Sequence, residues 1–168
     1  MIVAPVRERQ LIYSSATHTA ETQGFRRYVL KHVSGPFDVS GGQMARLCVQ
    51  KAQTKLQALS ALPRNWDGGG SPSPQPGAIA NASARLPELY RASSPIAGWR
   101  DPHVSANESG EVSFEWWCGP KKITMYFAPD IVEIIRVWGE DIEDEMEHLR
   151  VGSELREFAE AWAWLYGN

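Results

Sequence analysis

The sequence predicts a single α+β domain. An antiparallel meander of three to four strands at about 103–139 is packed by helices at 42–62, 75–91 and 153–166. Two observations carry this reading. Apolar residues recur every three or four positions within 42–62, 75–91 and 153–166 and alternate with polar residues within 111–128, which are the periods of an amphipathic helix and a half-buried strand. Breaks rich in glycine and proline separate the segments, as at Ser34-Gly35-Pro36, Gly119-Pro120 and Pro129-Asp130.

Residues 1–40 form an N-terminal extension whose structure the pattern leaves open, and residues 41–168 form the domain. QLIYSS reads as a short strand, and GFRRYVLKHV (24–33) fits a strand or a helix equally well. Ser40 is a suitable N-cap for the first helix. Ala45, Cys48, Val49, Ala52, Leu56 and Leu59 then form one apolar stripe, with Gln43, Lys51, Gln53 and Lys55 facing elsewhere. Pro63 ends this helix, because the residue before a proline avoids the α region. LPRNWDGGGSPSPQPG (62–77) has loop composition and joins the first helix to the second. In the second helix Ile79, Ala82, Leu86 and Leu89 face inward, and Pro87 is expected to kink or split it.

HVSANE (103–108) reads as a strand before the clearest alternation. EVSFEWWC (111–118) puts Val112, Phe114, Trp116 and Cys118 on one face and Glu111, Ser113, Glu115 and Trp117 on the other. KKITMYFA (121–128) separates Ile123, Met125 and Phe127 from Lys122, Thr124 and Tyr126 in the same way. IVEIIRVWG (131–139) is rich in β-branched residues and completes the meander. The last helix is capped by Ser153, buries Leu155, Phe158, Trp162 and Leu165, and ends near Gly167.

The composition excludes several classes. Hydrophobic residues are 43% and charged residues 22% of the chain, ordinary for a globular protein. A net charge of −3 is not that of a typical nucleic-acid binder. The two cysteines, Cys48 and Cys118, read as reduced apolar core residues. No signal-peptide pattern and no apolar run of the ~18 residues needed to span a bilayer is found, so a cytoplasmic location away from the membrane is expected. His18, His32, His103 and His148 lack metal-ligand spacing, and no nucleotide or nucleophile signature occurs, so no cofactor or metal is expected.

The string LPRNWDGGGSPSP (62–74) resembles the LPxxWDGxGAxxP segment of a family of small, uncharacterised bacterial proteins. The resemblance continues through Glu108-Ser109-Gly110-Glu111-Val112-Ser113-Phe114-Glu115-Trp116 and covers about 55–140. It implies an antiparallel sheet and no established activity. It also implies the setting of mobile or defence-related genes. This chain differs in carrying Gly69 where the family usually has an aromatic, and in about 40 additional N-terminal residues.

Three regions are candidate sites. In Asn65-Trp66-Asp67-Gly68-Gly69-Gly70, the Asn and Asp side chains suit turn capping, and Trp66 suits pinning the loop; the alternative is a rigid loop presented to a ligand. On the second sheet face, Glu115, Trp117, Lys122, Tyr126 and either Glu133 or Arg136 form an interface-like patch, unless a helix or the N-terminal segment covers it. Glu140, Asp141, Glu143, Asp144, Glu145 and Glu147 make an acidic run that fits a solvated loop or helix start, or a dock for a basic protein. Trp117, Tyr126, Glu115, Trp66, Asp67, Glu143, Asp144 and Glu145 are therefore the expected partner-binding residues.

The functional expectation is a non-enzymatic protein-binding module of antitoxin, immunity or anti-defence type, with an unidentified protein partner. Two exposed strand edges and seven tryptophans also allow a homodimer. The alternatives are an enzyme with Asp67, Glu115 or His103 at a cleft beside the loop, and nucleic-acid binding through Arg26, Arg27, Lys31 and His32.

Overall fold

The computed structural model describes residues 39–139, 144–151 and 155–167. Its elements are α1 (Val39–Cys48), α2 (Gln50–Leu59), α3 (Pro76–Ala97), β1 (His103–Ala106), β2 (Val112–Cys118), β3 (Lys121–Phe127), β4 (Val132–Val137), β5 (Met146–Arg150) and α4 (Arg156–Tyr166). The strands form one open antiparallel sheet in the order β1-β2-β3-β4-β5, with the helices packed on one face. The α+β meander expected from the sequence is present, with five strands rather than three or four. The added strand, β5, reads MEHLR. It has no β-branched residue and takes in Glu147 from the acidic run, which the sequence reads as a solvated loop or helix start, so its local signal is not that of a strand. Pairing with β4 makes it a strand.

The first predicted helix is two helices on one stripe. The ladder bends at Val49 (φ −95°, ψ 3°), yet Val49 N–H donates to Ala45 at 3.1 Å and Gln53 N–H to Val49 at 2.9 Å. Ala45, Val49, Ala52, Leu56 and Leu59 are buried as the spacing requires, and Cys48 is half-buried. Beyond Leu59 the chain tightens. Ser60, Ala61 and Leu62 each donate to the residue three back, and this carries the chain to Pro63.

The second predicted helix is α3, which runs on to Ala97 with Pro87 and Pro95 inside it. An interior proline costs a helix about 3 kcal/mol. The buried row Ala78, Ala82, Leu86, Leu89, Ala92 and Ser93 continues on both sides of Pro87, and that packing outweighs the lost bond. Pro76 sits in the first turn, where no N–H partner is needed. In α4 the expected inward residues Leu155, Phe158, Trp162 and Leu165 are all buried. The proposed cap, Ser153, lies outside the described residues.

The inner sheet face follows the predicted parity. Val112, Phe114, Trp116, Ile123, Met125 and Phe127 are buried, joined by Val104, Ala106, Val132 and Ile134. Cys118 shares the parity but is exposed, as the last residue of β2 beside the β2–β3 turn. It is not the core residue the sequence implies.

The core centres on tryptophans. Trp116 meets Trp162 edge-to-face at 5.6 Å, and Trp99 stacks on Trp162 at 6.2 Å. The Trp116 indole N–H donates to the Arg100 carbonyl at 2.8 Å. The Trp162 indole N–H is buried without a hydrogen-bond partner. This contrast predicts unequal costs for the same chemical change. Trp116→Phe loses a hydrogen bond that the buried indole makes to a partly buried carbonyl, a cost of about 1 kcal/mol on top of lost volume. Trp162→Phe removes a donor that already has no partner, so urea denaturation is expected to show the smaller loss there.

Candidate functional site

The second face of the sheet is set by the first. Side chains alternate along a strand, so burying Trp116 and Ile123 inward fixes which neighbours point outward. The registers align three outward rows. His103, Glu115, Thr124, Ile135 and His148 form one, and Ser105, Ser113, Tyr126, Glu133 and Arg150 a second. Trp117, Lys122, Val137 and Met146 form the third. Of the two residues the sequence left open, Glu133 belongs to this face. Arg136 points inward, where its guanidinium lies 5.3 Å from the Trp164 ring centroid and pairs with Glu147. Burial pushes the Arg136 pKa below its usual value.

Charges on the outer face compensate one another. Lys122 Nζ lies 3.1 Å from Glu115 Oε1, which also accepts from Thr124 Oγ1 at 3.3 Å. Glu133 holds His148 Nε2 at 3.3 Å and Arg150 at 3.7 Å. Partly exposed pairs of this kind contribute about 1 kcal/mol or less each to stability. Their effect here is to leave a mixed, nearly neutral surface. Ser105 and Ser113 share a hydrogen bond at 2.7 Å.

Trp117 stands out from this background, at 49% exposed. The His103 ring lies 6.0 Å from it, and Tyr166 Oη donates to its carbonyl at 3.1 Å, so its backbone is tied to the end of α4. Tyr126 is half-buried between Ser113 and Glu133.

The glycine loop is organised around its own residues. Asp67 Oδ1 accepts from the N–H groups of Gly69 (2.9 Å) and Ser71 (3.3 Å), and Oδ2 accepts from the Ser71 hydroxyl. Asn65, at φ 62°, accepts from Gly70 N–H at 2.7 Å through its side chain. The half-buried Trp66 packs against the core and donates to the Pro72 carbonyl at 3.2 Å. Downstream, Gln75 ties the loop to the β1–β2 turn through the Gly110 and Ser109 carbonyls. The turn-capping chemistry expected for Asn65 and Asp67 is what the loop uses.

The remaining candidates fall apart spatially. His103 and Glu115 are cross-strand partners, whereas no hydrogen bond or ion pair joins Asp67 to either. Asp144 is exposed and Glu145 half-buried in the β4–β5 connection, where Glu145 accepts from Trp138 N–H at 3.1 Å. Glu140, Asp141 and Glu143 lie outside the described residues, as do Arg26, Arg27, Lys31, His18 and His32. His148 and Arg150 escaped sequence reasoning, because their place on the face depends on β5. Among the described residues no three His, Cys, Asp or Glu side chains are grouped to hold a metal, and no helix is long and apolar enough to cross a membrane. No family model, curated protein or solved structure matches the chain.

The loop makes a pH-dependent prediction. The Ser71 hydroxyl, and then the Gly69 N–H, hold the Asp67 carboxyl below its ordinary value of 3.8. A depressed carboxylate stabilises the fold at higher pH, and that stability is lost as pH falls through 3.8 toward the folded value. Asp67→Ala is therefore expected to lower the melting temperature at neutral pH. The gap from wild type should close in melts taken below that range.

Proposed function

We propose that this protein is a non-enzymatic protein-binding module, and that the outer sheet face around Trp117 receives its partner. The observation that carries the reading is a half-exposed tryptophan on a rigid sheet face whose charges are already paired. Tryptophan and tyrosine bring large apolar area at low conformational cost and dominate the energetics of protein interfaces. Internally paired carboxylates and amines give up less on desolvation than lone charges do, so a partner can cover them. Ile135, Val137 and Met146 add apolar area on the β4–β5 part of the same face, across Lys122 and Thr124 from Trp117 and His103. The inner strands β2, β3 and β4, each paired on both sides, hold Trp117, Glu115 and Tyr126 in one shape, so little ordering entropy is lost on binding.

The class of partner follows from the glycine loop. Its resemblance to a bacterial family from mobile or defence-related settings supports an antitoxin, immunity or anti-defence role, in which the bound protein is a toxin or effector held inactive. In this reading Asp67 and Trp66 build the scaffold, and Trp117, Tyr126 and Glu115 form the surface that meets the partner.

Replacing Trp117 and Tyr126 together by alanine is expected to abolish capture of a stoichiometric protein partner from the native host, with circular dichroism and melting little changed. Retained capture by a folded double variant removes this face from the interface.

A further inference from the structure

The two edges of the sheet are not alike. At one edge, β1 packs beside α2, and Lys55 Nζ donates to the Pro102 carbonyl at 3.0 Å. At the other edge, among the described residues, the only extensive neighbour of β5 is β4.

The hydrogen-bond phase shows which groups of β5 point away from the sheet. Trp138 N–H donates to the Glu145 carbonyl at 3.1 Å, and Val151 N–H donates to Val132 at 2.9 Å. Those contacts bracket the β4–β5 ladder. Bonded pairs alternate along an antiparallel ladder, so Glu147 and Leu149 bond to β4. The N–H and C=O groups of Met146, His148 and Arg150 therefore point outward. Their side chains lie on the outer face and are exposed.

Natural edges are blunted by proline, bulges, charged side chains (lysine above all, and inward-pointing charges) or a covering element. Met146–Arg150 has no proline or lysine, and its register with β4 is unbroken. Its charges are already answered within the sheet, Glu147 by Arg136 and Arg150 by Glu133. Antiparallel self-pairing about His148 overlaps the whole strand. It sets Met146 opposite Arg150 and Glu147 opposite Leu149, so no carboxylate faces a carboxylate and no arginine an arginine. Centring the pair on Glu147 instead sets two glutamates opposite each other, which is unfavourable.

We propose that two copies of this chain associate through β5, antiparallel about His148, forming one continuous ten-stranded sheet from two five-stranded ones. The two-fold axis runs perpendicular to the sheet, so both Trp117 faces lie on the same side of the dimer. The contact is one strand wide, smaller than a standard interface, and the dimer is expected to be weak and concentration-dependent.

Sedimentation equilibrium of the full chain, wild type against His148→Pro, tests this. Proline is tolerated on an edge strand where its N–H would face solvent, so the variant is expected to keep the β4–β5 ladder and lose the outward bond. Wild type is expected to approach twice the monomer mass with rising concentration, and the folded proline variant to stay monomeric. Wild type remaining monomeric throughout, or a dimer surviving His148→Pro, overturns the proposal. Should that variant unfold, His148→Cys in a Cys48→Ser, Cys118→Ser background decides. Opposed residues of a bonded pair lie about 5.5 Å apart at Cα, within disulfide reach. Oxidation to a covalent dimer supports the register, and its failure to cross-link refutes it.

Discussion

The contact between Trp116 and Trp162 fixes the rest of the molecule. It joins the central part of the sheet to the C-terminal helix edge-to-face at 5.6 Å, with both rings buried. Trp99 closes the cluster from the end of the segment that leaves α3, and Phe158 and Phe114 flank it. Once Trp116 points inward, strand parity leaves no freedom. Trp117 must point outward, and with it Glu115 and the cross-strand partners Lys122 and Thr124. The proposed recognition face is thus a by-product of the core, held by the same backbone.

The two faces do opposite work. The inner face buries apolar area against α3 and α4 and supplies the folding energy. The outer face adds less stability, because its ion pairs are partly exposed and its tryptophan is half in water, although Thr124 and Ser113 between them are buried. A surface that contributes little to folding can be changed without loss of the fold, which suits the proposed partner-binding role. The glycine loop belongs with the scaffold. Its donors and acceptors close on one another, and Gln75 ties it to the β1–β2 turn.

Much of this was legible in the residues. Strict alternation in EVSFEWWC and KKITMYFA assigned both faces of β2 and β3 correctly, including Trp117 and Tyr126 outward. The stripes of α2 and α4 were equally plain, as was the capping chemistry of Asn65 and Asp67. What was hidden depended on tertiary contact. β5 has no intrinsic strand signal and exists because β4 offers an edge, so the Glu133–His148–Arg150 cluster could not be assembled from the sequence. Pro87 reads as a breaker locally, but the buried row on both sides of it overrides that signal. Cys118 has core parity but is exposed at the end of its strand beside the β2–β3 turn, a position that periodicity does not encode. Choosing Glu133 over Arg136 required the β3–β4 register, which turn residues alone did not specify.

The account rests on the outer face being open in the free protein and covered by a partner. Hydroxyl-radical footprinting with mass spectrometry measures this directly, with Trp116 and Trp162 as internal buried standards. The expected result is rapid oxidation of Trp117 in the free chain, slow oxidation of both standards, and protection of Trp117 once a protein partner is captured. Oxidation of Trp117 as slow as that of Trp116 in the free chain would mean that the face is already covered, and would contradict the account.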